Sequence, residues 1–348
     1  VDFDNDDRLD LYNTCGRVAD DPKDYPHTLY RRESGGYQDV APDVGLVLPH
    51  AGYFVRLVGD GDGDLDLLAS LESKIRLYLN SSYRFEAQSE LSLAATVTQL
   101  AVADFDLDGD FDVYIVTKDR SPNSLLINND GQYRPLDPQE FGLPAQGVDA
   151  SWVDYDNDGA IDLHVVPKGL YRQIEGHRFK ATQLFNWQVP PFETWEARSA
   201  WFDRDNDGTR DLAIAYRQTP SALQSTPSLR QRIINQIQKR DTSKIWQSAF
   251  YQNVGAKNHW LQIKLAGNGG NNPAIGAKVE VTTPMGVQIQ QVGMSENSHY
   301  SQGHYRLYFG LGKYPKADLV KITWSNGEVT ELNNLTGDRL LKVEQEAA

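Results

Sequence analysis

Short segments of alternating apolar and polar residues recur through the first 250 residues of the chain. Two such segments joined by a turn rich in Asn, Gly or Ser form each of the stretches 29–40, 77–88, 125–136 and 170–181. Period-two alternation predicts β-strands, and the intervening residues predict hairpin turns. Further short strands are predicted by "LAVA", "ASWV" and "SAWF" at 100–103, 150–153 and 199–202.

An aspartate-rich motif, D-x-D-x-D-G-x-x-D, occurs in five copies, each after the predicted first strand of its set except that the first copy lacks this opening strand. The last aspartates of copies 1 to 5 are Asp10, Asp66, Asp112, Asp162 and Asp211, which are 56, 46, 50 and 49 residues apart. A period near 50 residues that contains four short strands predicts the blades of a β-propeller, with the aspartate loop between the first and second strands. The sequence therefore predicts an all-β fold.

The spacing of the aspartates predicts a metal site in each loop. Carboxylates at positions 1, 3 and 5 fall on one side of a tight loop, and Gly at position 6 allows the sharp turn. The carbonyl of position 7 and the carboxylate of position 9 complete an oxygen cage. Two unit charges 4 Å apart repel by about 4 kcal/mol at an effective dielectric constant near 20, and a divalent cation would remove this cost. Oxygen ligands in an irregular loop favour Ca²⁺ over zinc, copper or magnesium.

The predicted ligands follow from the register of the copies. The carboxylates are those of Asp2, Asp4, Asp6 and Asp10; Asp60, Asp62 and Asp66; Asp104, Asp106, Asp108 and Asp112; Asp154, Asp156, Asp158 and Asp162; and Asp203, Asp205, Asp207 and Asp211. The backbone carbonyls are those of Arg8, Asp64, Asp110, Ala160 and Thr209.

Two copies depart from the motif. Copy 1 has Asp7 at the glycine position, so a non-glycine residue must adopt the tight turn. Copy 2 has Val58 at position 1, and its site is expected to be the weakest. We therefore expect four to five calcium ions, with copy 3 as the best-formed site.

Other aspartate-rich sites fit less well. An EF-hand requires Glu at position 12 and a following helix, whereas copies 1, 3, 4 and 5 have Asn13, Ile115, Val165 and Ile214 there, before strand-like alternation. A glycosidase uses one pair of carboxylates in unlike environments rather than five similar sets. Solvated acidic hairpin turns remain the structural alternative.

The net charge agrees with cation binding. The chain has 348 residues and a formal net charge of −14, which argues against nucleic acid or an anionic membrane as a partner. Five calcium ions would carry ten positive charges and reduce the net charge from −14 to −4. No apolar run approaches the eighteen or so residues of a transmembrane segment.

The repeats resemble the FG-GAP/VCBS units of integrin-α-type β-propellers, and the C-terminal segment resembles an ASPIC/UnbV domain. The latter resemblance rests on N-H-W-L, A-I-G-A, S-Q, F-G-L-G and V-x-I-x-W-x-x-G, in that order, between residues 258 and 327. The combination is similar to secreted proteins of the cartilage acidic protein type. We expect propeller blades over 1–255 and an ASPIC/UnbV β domain over 256–348. Asn326-Gly327 predicts a two-residue hairpin turn within that domain.

Two features modify this expectation. Residues 218–247 break the repeat, and Leu229, Ile233 and Ile237 recur every four residues, which predicts a helix within an insertion in blade 5. Propellers of this family usually have seven or eight blades. The five visible copies therefore predict an arc of a larger ring, with blades missing at the N-terminal side.

The resemblance implies a secreted or cell-surface protein, extracellular or periplasmic, whose propeller binds a protein or carbohydrate ligand. The alternative is a propeller-based polysaccharide lyase or hydrolase, or a lectin, although no catalytic constellation is visible. Trp152 and Trp201 are predicted to be core residues and His164 a strand residue, whereas Trp187 and Trp195 are candidates for a sugar platform.

Overall fold

The computed structural model describes residues 1–13, 26–48, 52–55, 64–71, 73–93, 95–118, 121–183, 197–218, 245–255, 257–294 and 305–346. Across these residues the secondary structure is almost entirely β, apart from one 3-10 helix at Pro138–Phe141. None of the described helical structure is long or apolar enough to cross a membrane. The all-β prediction is confirmed.

The strands follow one another along the chain in short antiparallel sets. They are β1 (Leu11–Asn13), β2 (Thr28–Glu33), β3 (Gly36–Asp39), β4 (Gly52–Val55), β5 (Asp66–Leu71), β6 (Lys74–Ser81), β7 (Arg84–Ser92), β8 (Val97–Ala103), β9 (Asp112–Thr117), β10 (Ser124–Asn129), β11 (Gln132–Leu136), β12 (Asp149–Val153), β13 (Asp162–Val166), β14 (Gly169–Ile174), β15 (Arg178–Ala181), β16 (Ala197–Phe202), β17 (Asp211–Gln218), β18 (Ile245–Tyr251), β19 (His259–Ala266), β20 (Lys278–Thr283), β21 (Gly286–Gln291), β22 (Arg306–Gly312), β23 (Lys316–Thr323), β24 (Val329–Thr336) and β25 (Arg339–Glu344).

The first eighteen strands form five sheets, which we call blades 1 to 5. Blades 2, 3 and 4 are four-stranded sheets of consecutive strands, β4–β7, β8–β11 and β12–β15. Blade 1 contains β1–β3, which follow its loop, and blade 5 contains β16–β18. In blades 2 to 5 the motif ends where the second strand begins, because the position 9 residues Asp66, Asp112, Asp162 and Asp211 open β5, β9, β13 and β17.

The blades pack face to face through apolar side chains. Every residue of β9 and β13 is buried, since these strands have a neighbouring sheet on each side. One core cluster joins blades 3 and 4 through Phe105, Tyr114 and Trp152, and the Phe105 and Trp152 rings are stacked with centroids 5.8 Å apart. The outer strands β7 and β15 are largely exposed. The aspartate loops of copies 1, 3, 4 and 5 lie on the side of the blades that faces the strands after β18, and we call this side the loop face.

Strands β19–β25 form a C-terminal unit, residues 257–346, with a core of its own. One sheet has the order β22-β19-β25 and the other β21-β20-β23-β24. Buried side chains from both sheets, among them Ile263, Val279, Phe309 and Trp324, form a single apolar cluster. β25 runs parallel to β19, so the end of the chain is held beside the start of the unit.

The predicted hairpin at Asn326-Gly327 is present, but its turn differs from the prediction. Trp324 N–H donates to Glu328 O, and Gly327 N–H donates to Trp324 O, each at 2.9 Å, so three residues, 325–327, lie between the hydrogen-bonded residues Trp324 and Glu328. Only Gly327 of the pair has positive φ, whereas the expected two-residue turn needs it at both positions. The physical reason is that Asn326 uses its side chain, which accepts from Glu328 N–H and donates to Asp7.

Several predictions lie outside the described residues. They concern the ligands Asp60 and Asp62 of copy 2, the helix of the 218–247 insertion, and the candidate sugar platform at Trp187 and Trp195.

Candidate metal centre

The first aspartate of each well-formed motif holds its loop together through backbone hydrogen bonds. Asp154 Oδ1 accepts from Asp158 N–H and its Oδ2 from Gly159 N–H, at 3.1 and 3.0 Å. Asp203 makes the same pair of contacts with the fifth and sixth residues of its copy. Asp2, Asp104, Asp154 and Asp203 are all buried. The position 1 carboxylate thus lies at the base of a tight turn.

Two residues of each described loop, those of copies 1, 3, 4 and 5, adopt a left-handed backbone. At position 6, φ is +101° for Gly109, +89° for Gly159 and +93° for Gly208. Asp7 takes this role in copy 1 with φ of 60°, which confirms that a non-glycine residue makes that turn. Position 4 was not singled out from the sequence, yet it is also left-handed, in Asn5, Leu107, Asn157 and Asn206. Asn tolerates this conformation better than most residues, so the three asparagines were the available signal.

The last aspartate joins its loop to the third strand of the blade. Asp112 Oδ1 accepts from Asn128 N–H at 2.9 Å, and Asp112 Oδ2 accepts from Phe105 N–H at 3.4 Å. Equivalent pairs of contacts are made by Asp10, Asp162 and Asp211. Position 9 therefore has a structural role in addition to the ligand role predicted for it.

Four copies bring three carboxylates to one point, with one oxygen of each within 4.8 Å of the others. The groups are Asp2, Asp4 and Asp6; Asp104, Asp106 and Asp108; Asp154, Asp156 and Asp162; and Asp203, Asp205 and Asp207. Asp10, Asp112, Asp158 and Asp211 belong to the same loops but not to these groups.

The oxygen atoms that these loops offer as ligands suit a hard cation. Asp4 Oδ1, Asp104 Oδ2, Asp106 Oδ1 and Asp156 Oδ1 are buried and accept no hydrogen bond from any described residue. A buried carboxylate oxygen without a donor is costly, and a bound cation would satisfy it. Carboxylate and carbonyl oxygens are the ligands that Ca²⁺ takes in irregular loops. The residues of copies 1, 3, 4 and 5 would hold the ion.

Burial and neighbouring carboxylates raise the pKa of two position 1 aspartates, Asp154 and Asp104. Burial, with the charges of Asp158 and Asp156, raises the pKa of Asp154 to about 8. Burial, with the charges of Asp108 and Asp106, raises the pKa of Asp104 to about 7. A divalent ion would reverse both effects by favouring the charged carboxylates.

Basic side chains contact some of the loops. Arg172 pairs with Asp156 Oδ2 at 2.9 Å and with Asp158 Oδ2 at 2.6 Å in copy 4, and Arg8 pairs with Asp6 in copy 1. No described ion pair involves copy 3. In that copy the Asp110 side chain accepts from Asp130 N–H at 2.6 Å, away from the other carboxylates, which agrees with a carbonyl-only role.

Copy 2 is described only from Asp64 onward. Asp66 is fully buried, and its Oδ1 accepts from Asn80 N–H at 2.7 Å, as the position 9 residues do elsewhere. Asp64 Oδ1 accepts from the Nδ2 of Asn5 at 2.5 Å, which connects copies 1 and 2. Asn157 similarly donates to Gly208 O at 3.1 Å, which connects copies 4 and 5.

The C-terminal unit lies directly on the loop face. Gln262 donates to Asp203, Arg306 to Asn206 and Asn326 to Asp7. These partners are separated by 59, 100 and 319 residues, so no local signal in the sequence pointed to them. A cavity of about 50 Å³ between the unit and copies 3 and 4 is lined by Asp104, Asp154, Arg210 and Tyr308 among others. It has room for a few water molecules.

The sequence predictions for Trp152, Trp201 and His164 are confirmed. Trp152 and Trp201 are 3% and 5% exposed, and Trp152 Nε1–H donates to Ala101 O at 3.0 Å. His164 is fully buried on β13, and burial lowers its pKa to about 3. These side chains belong to the blade cores rather than to a binding surface.

Comparison with known proteins identifies two families. Residues 60–115 and 104–165 match the FG-GAP-like repeat, and residues 267–348 match the family described as ASPIC and UnbV. No curated protein matches the chain.

Two solved structures show a low similarity. One is an Agrocybe aegerita lectin described as recognising non-reducing terminal N-acetylglucosamine, with 16% identity and a TM-score of 0.36 over 55% of this chain. The other is the V. cholerae biofilm matrix protein Bap1, with 9% identity and a TM-score of 0.38 over 94% of this chain. The chain spans 56% and 59% of their lengths, and the low scores carry no argument. The family matches alone support the conclusion that this chain contains FG-GAP-like repeats followed by an ASPIC and UnbV domain.

Proposed function

We propose that the chain is a calcium-binding module of an extracellular recognition or adhesion protein. The main support for calcium binding is the convergence of three carboxylates in each of four loops, together with buried carboxylate oxygens in copies 1, 3 and 4 that no described donor satisfies. The position 1 aspartate accepts from the position 5 N–H in all four loops and from the position 6 N–H in copies 1, 4 and 5, which supports one repeated role rather than a single active site.

The role of the ions would be structural. In copy 3 the loop joins the first and second strands of the blade, and its position 9 aspartate is bonded to the third strand, so an ion there would hold three strands together. At a free concentration a hundred times the dissociation constant, each ion would add about 2.7 kcal/mol to the free energy of unfolding. Extracellular calcium modules have dissociation constants of about 0.1 to 1 mM, which supports a location outside the cytosol.

Thermal unfolding of the chain tests the calcium proposal. We expect the melting temperature to fall in EGTA and to recover when excess Ca²⁺ is added, but not when the same concentration of Mg²⁺ is added. Mg²⁺ is the control for ionic strength and divalent charge. It should not restore stability, because it demands a stricter octahedral geometry than these loops offer. Equal melting temperatures in EGTA and Ca²⁺ would remove the calcium argument and the proposed location with it.

The recognition part rests on analogy with FG-GAP-like repeats, since a fold alone does not specify a function. We propose that the ligand is a protein or a carbohydrate and that the chain binds it without turnover. Binding to immobilised glycans or extracellular proteins is the expected result, whereas release of reducing sugar from polysaccharides would favour the lyase or hydrolase alternative.

A further inference from the structure

The structure points to a second role for the C-terminal unit. We propose that this unit is the outer coordination shell of the metal loops and that Gln262 positions the ligand Asp203. Calcium binding and docking of the unit onto the loop face would then be coupled. The inference rests on the proposed calcium function and adds to it residues that lie outside the repeats.

Gln262 connects the C-terminal unit to copy 5. Its Nε2 donates to Asp203 Oδ2 at 2.6 Å, and its Oε1 accepts from Arg306 Nη1 at 2.9 Å. The same Arg306 nitrogen donates to Asn206 Oδ1 at 3.0 Å. Gln262 is only 2% exposed, so water cannot replace these contacts. The guanidinium thus orients the amide, and the amide orients the carboxylate at position 1.

Copies 1 and 4 contact the same unit through their backbones. Gly270 N–H donates to Asp7 O at 2.8 Å, and Gly312 N–H donates to Asn157 O at 2.9 Å. Asp7 Oδ2 also accepts from Asn326 Nδ2 at 3.0 Å, so the residue that replaces glycine in copy 1 bonds to the unit. In copy 4, Asn258 Nδ2 donates to Asp156 O at 2.9 Å.

These contacts require the loops to hold one geometry. Without a cation, three carboxylates within 4.8 Å repel one another and the loop can open, which displaces the acceptors that face the unit. With a cation, the acceptors are fixed. Calcium would therefore favour docking of the C-terminal unit. Because coupling between two binding events is reciprocal, the docked unit would in turn raise the affinity of the loops for calcium. Outer-shell partners of metal ligands typically contribute 10- to 100-fold in affinity.

Calorimetric titration of the full chain with Ca²⁺ tests the positioning role. We expect Gln262→Ala to weaken one site by about 10- to 100-fold and to leave the others close to the wild-type values. Gln290→Ala is the matched control, because Gln290 forms its hydrogen bonds with Tyr308 of the same unit. Arg306→Gln should give a smaller loss at the same site, since Gln262 keeps its bond to Asp203.

Hydrogen exchange of the unmodified chain tests the coupling without any variant. The Gly270 and Gly312 amides donate across the interface, so they report docking directly. We expect both amides to exchange faster in EGTA than in Ca²⁺. Amides of β20 and β23, which are paired within the unit, should exchange at the same rate in both conditions.

The outcomes separate this inference from the calcium proposal. If the wild-type chain binds no calcium, the proposed function fails. If it binds calcium but Gln262→Ala and Arg306→Gln keep every affinity, or the Gly270 and Gly312 amides exchange equally fast with and without calcium, the outer-shell role is overturned while the calcium function stands.

Discussion

Two loop glycines have the same left-handed backbone conformation but differ in their contact with the C-terminal unit. Substituting each of them therefore separates the cost of the turn from the cost of that contact. Gly109 and Gly208 occupy position 6 of copies 3 and 5, with φ of +101° and +93°. A Cβ at Gly109 would meet nothing within 4 Å, whereas a Cβ at Gly208 would lie 1.9 Å from Cε2 of Trp260. Trp260 belongs to the C-terminal unit, so Gly208 is needed for the turn and for docking.

The magnitudes follow from these two costs. Placing alanine at a left-handed position costs about 1 to 2 kcal/mol, which applies to both variants. Overpacking against a rigid ring adds about 1 to 3 kcal/mol, which applies to Gly208→Ala alone. We therefore expect losses of about 1 to 2 kcal/mol for Gly109→Ala and about 2 to 5 kcal/mol for Gly208→Ala.

Urea unfolding in saturating calcium measures both losses. A double-mutant cycle with Trp260→Ala provides the control, because the clash disappears with the ring and Gly208→Ala should then cost no more than Gly109→Ala. Equal losses for the two single variants, or an unchanged excess for Gly208→Ala after removal of the Trp260 ring, would refute the contact between copy 5 and the C-terminal unit.

Three further predictions concern individual side chains. Asp106→Asn should remove one calcium site and leave the folded structure intact, measured by calcium stoichiometry and circular dichroism, because Asp106 Oδ1 has no described hydrogen-bond donor to lose. Trp152→Phe should lower the free energy of unfolding by about 1 to 3 kcal/mol, because Ala101 O loses its buried partner; a change within error would contradict the buried hydrogen bond. Burial, offset in part by hydrogen bonds from Ser199 and by the charge of Arg198, raises the pKa of Asp149 to about 6. Because the folded pKa lies above the unfolded value of 3.8, the wild-type chain should lose stability relative to Asp149→Asn as pH rises from 4 to 6 and remain constant above that; a difference in unfolding free energy that is independent of pH would contradict this assignment.

The local features of the fold were predictable because they depend on short-range patterns. Alternation in 125–136 predicted β10, β11 and the turn between them. The position 6 glycines predicted the left-handed turns. The aspartate spacing predicted that positions 1, 3 and 5 converge, as they do in copies 1, 3 and 5, whereas in copy 4 Asp162 at position 9 joins the group instead of Asp158. Each of these depends on residues that lie within about a dozen positions of one another.

The contacts between the loops and the C-terminal unit could not be predicted in the same way. In the sequence, Gln262 looks like any other polar residue of a strand. Only the packing of the C-terminal unit against the blades brings it to Asp203. In the sequence, Asn326 is a typical residue of a two-residue hairpin turn. In the structure its side chain donates to Asp7, and only Gly327 of the pair has positive φ. The complete burial of β13 was equally hidden, because it depends on sheets that cover both of its faces.

The most direct test of the account is the number of calcium ions bound by the metal-free chain, determined by equilibrium dialysis with elemental analysis. The account predicts four to five ions, one in each of copies 1, 3, 4 and 5 and a weaker one in copy 2. Asp106→Asn, Asp156→Asn and Asp205→Asn should each remove one ion. Binding of no calcium, or a stoichiometry that none of these substitutions changes, would contradict the assignment of the aspartate loops as calcium sites.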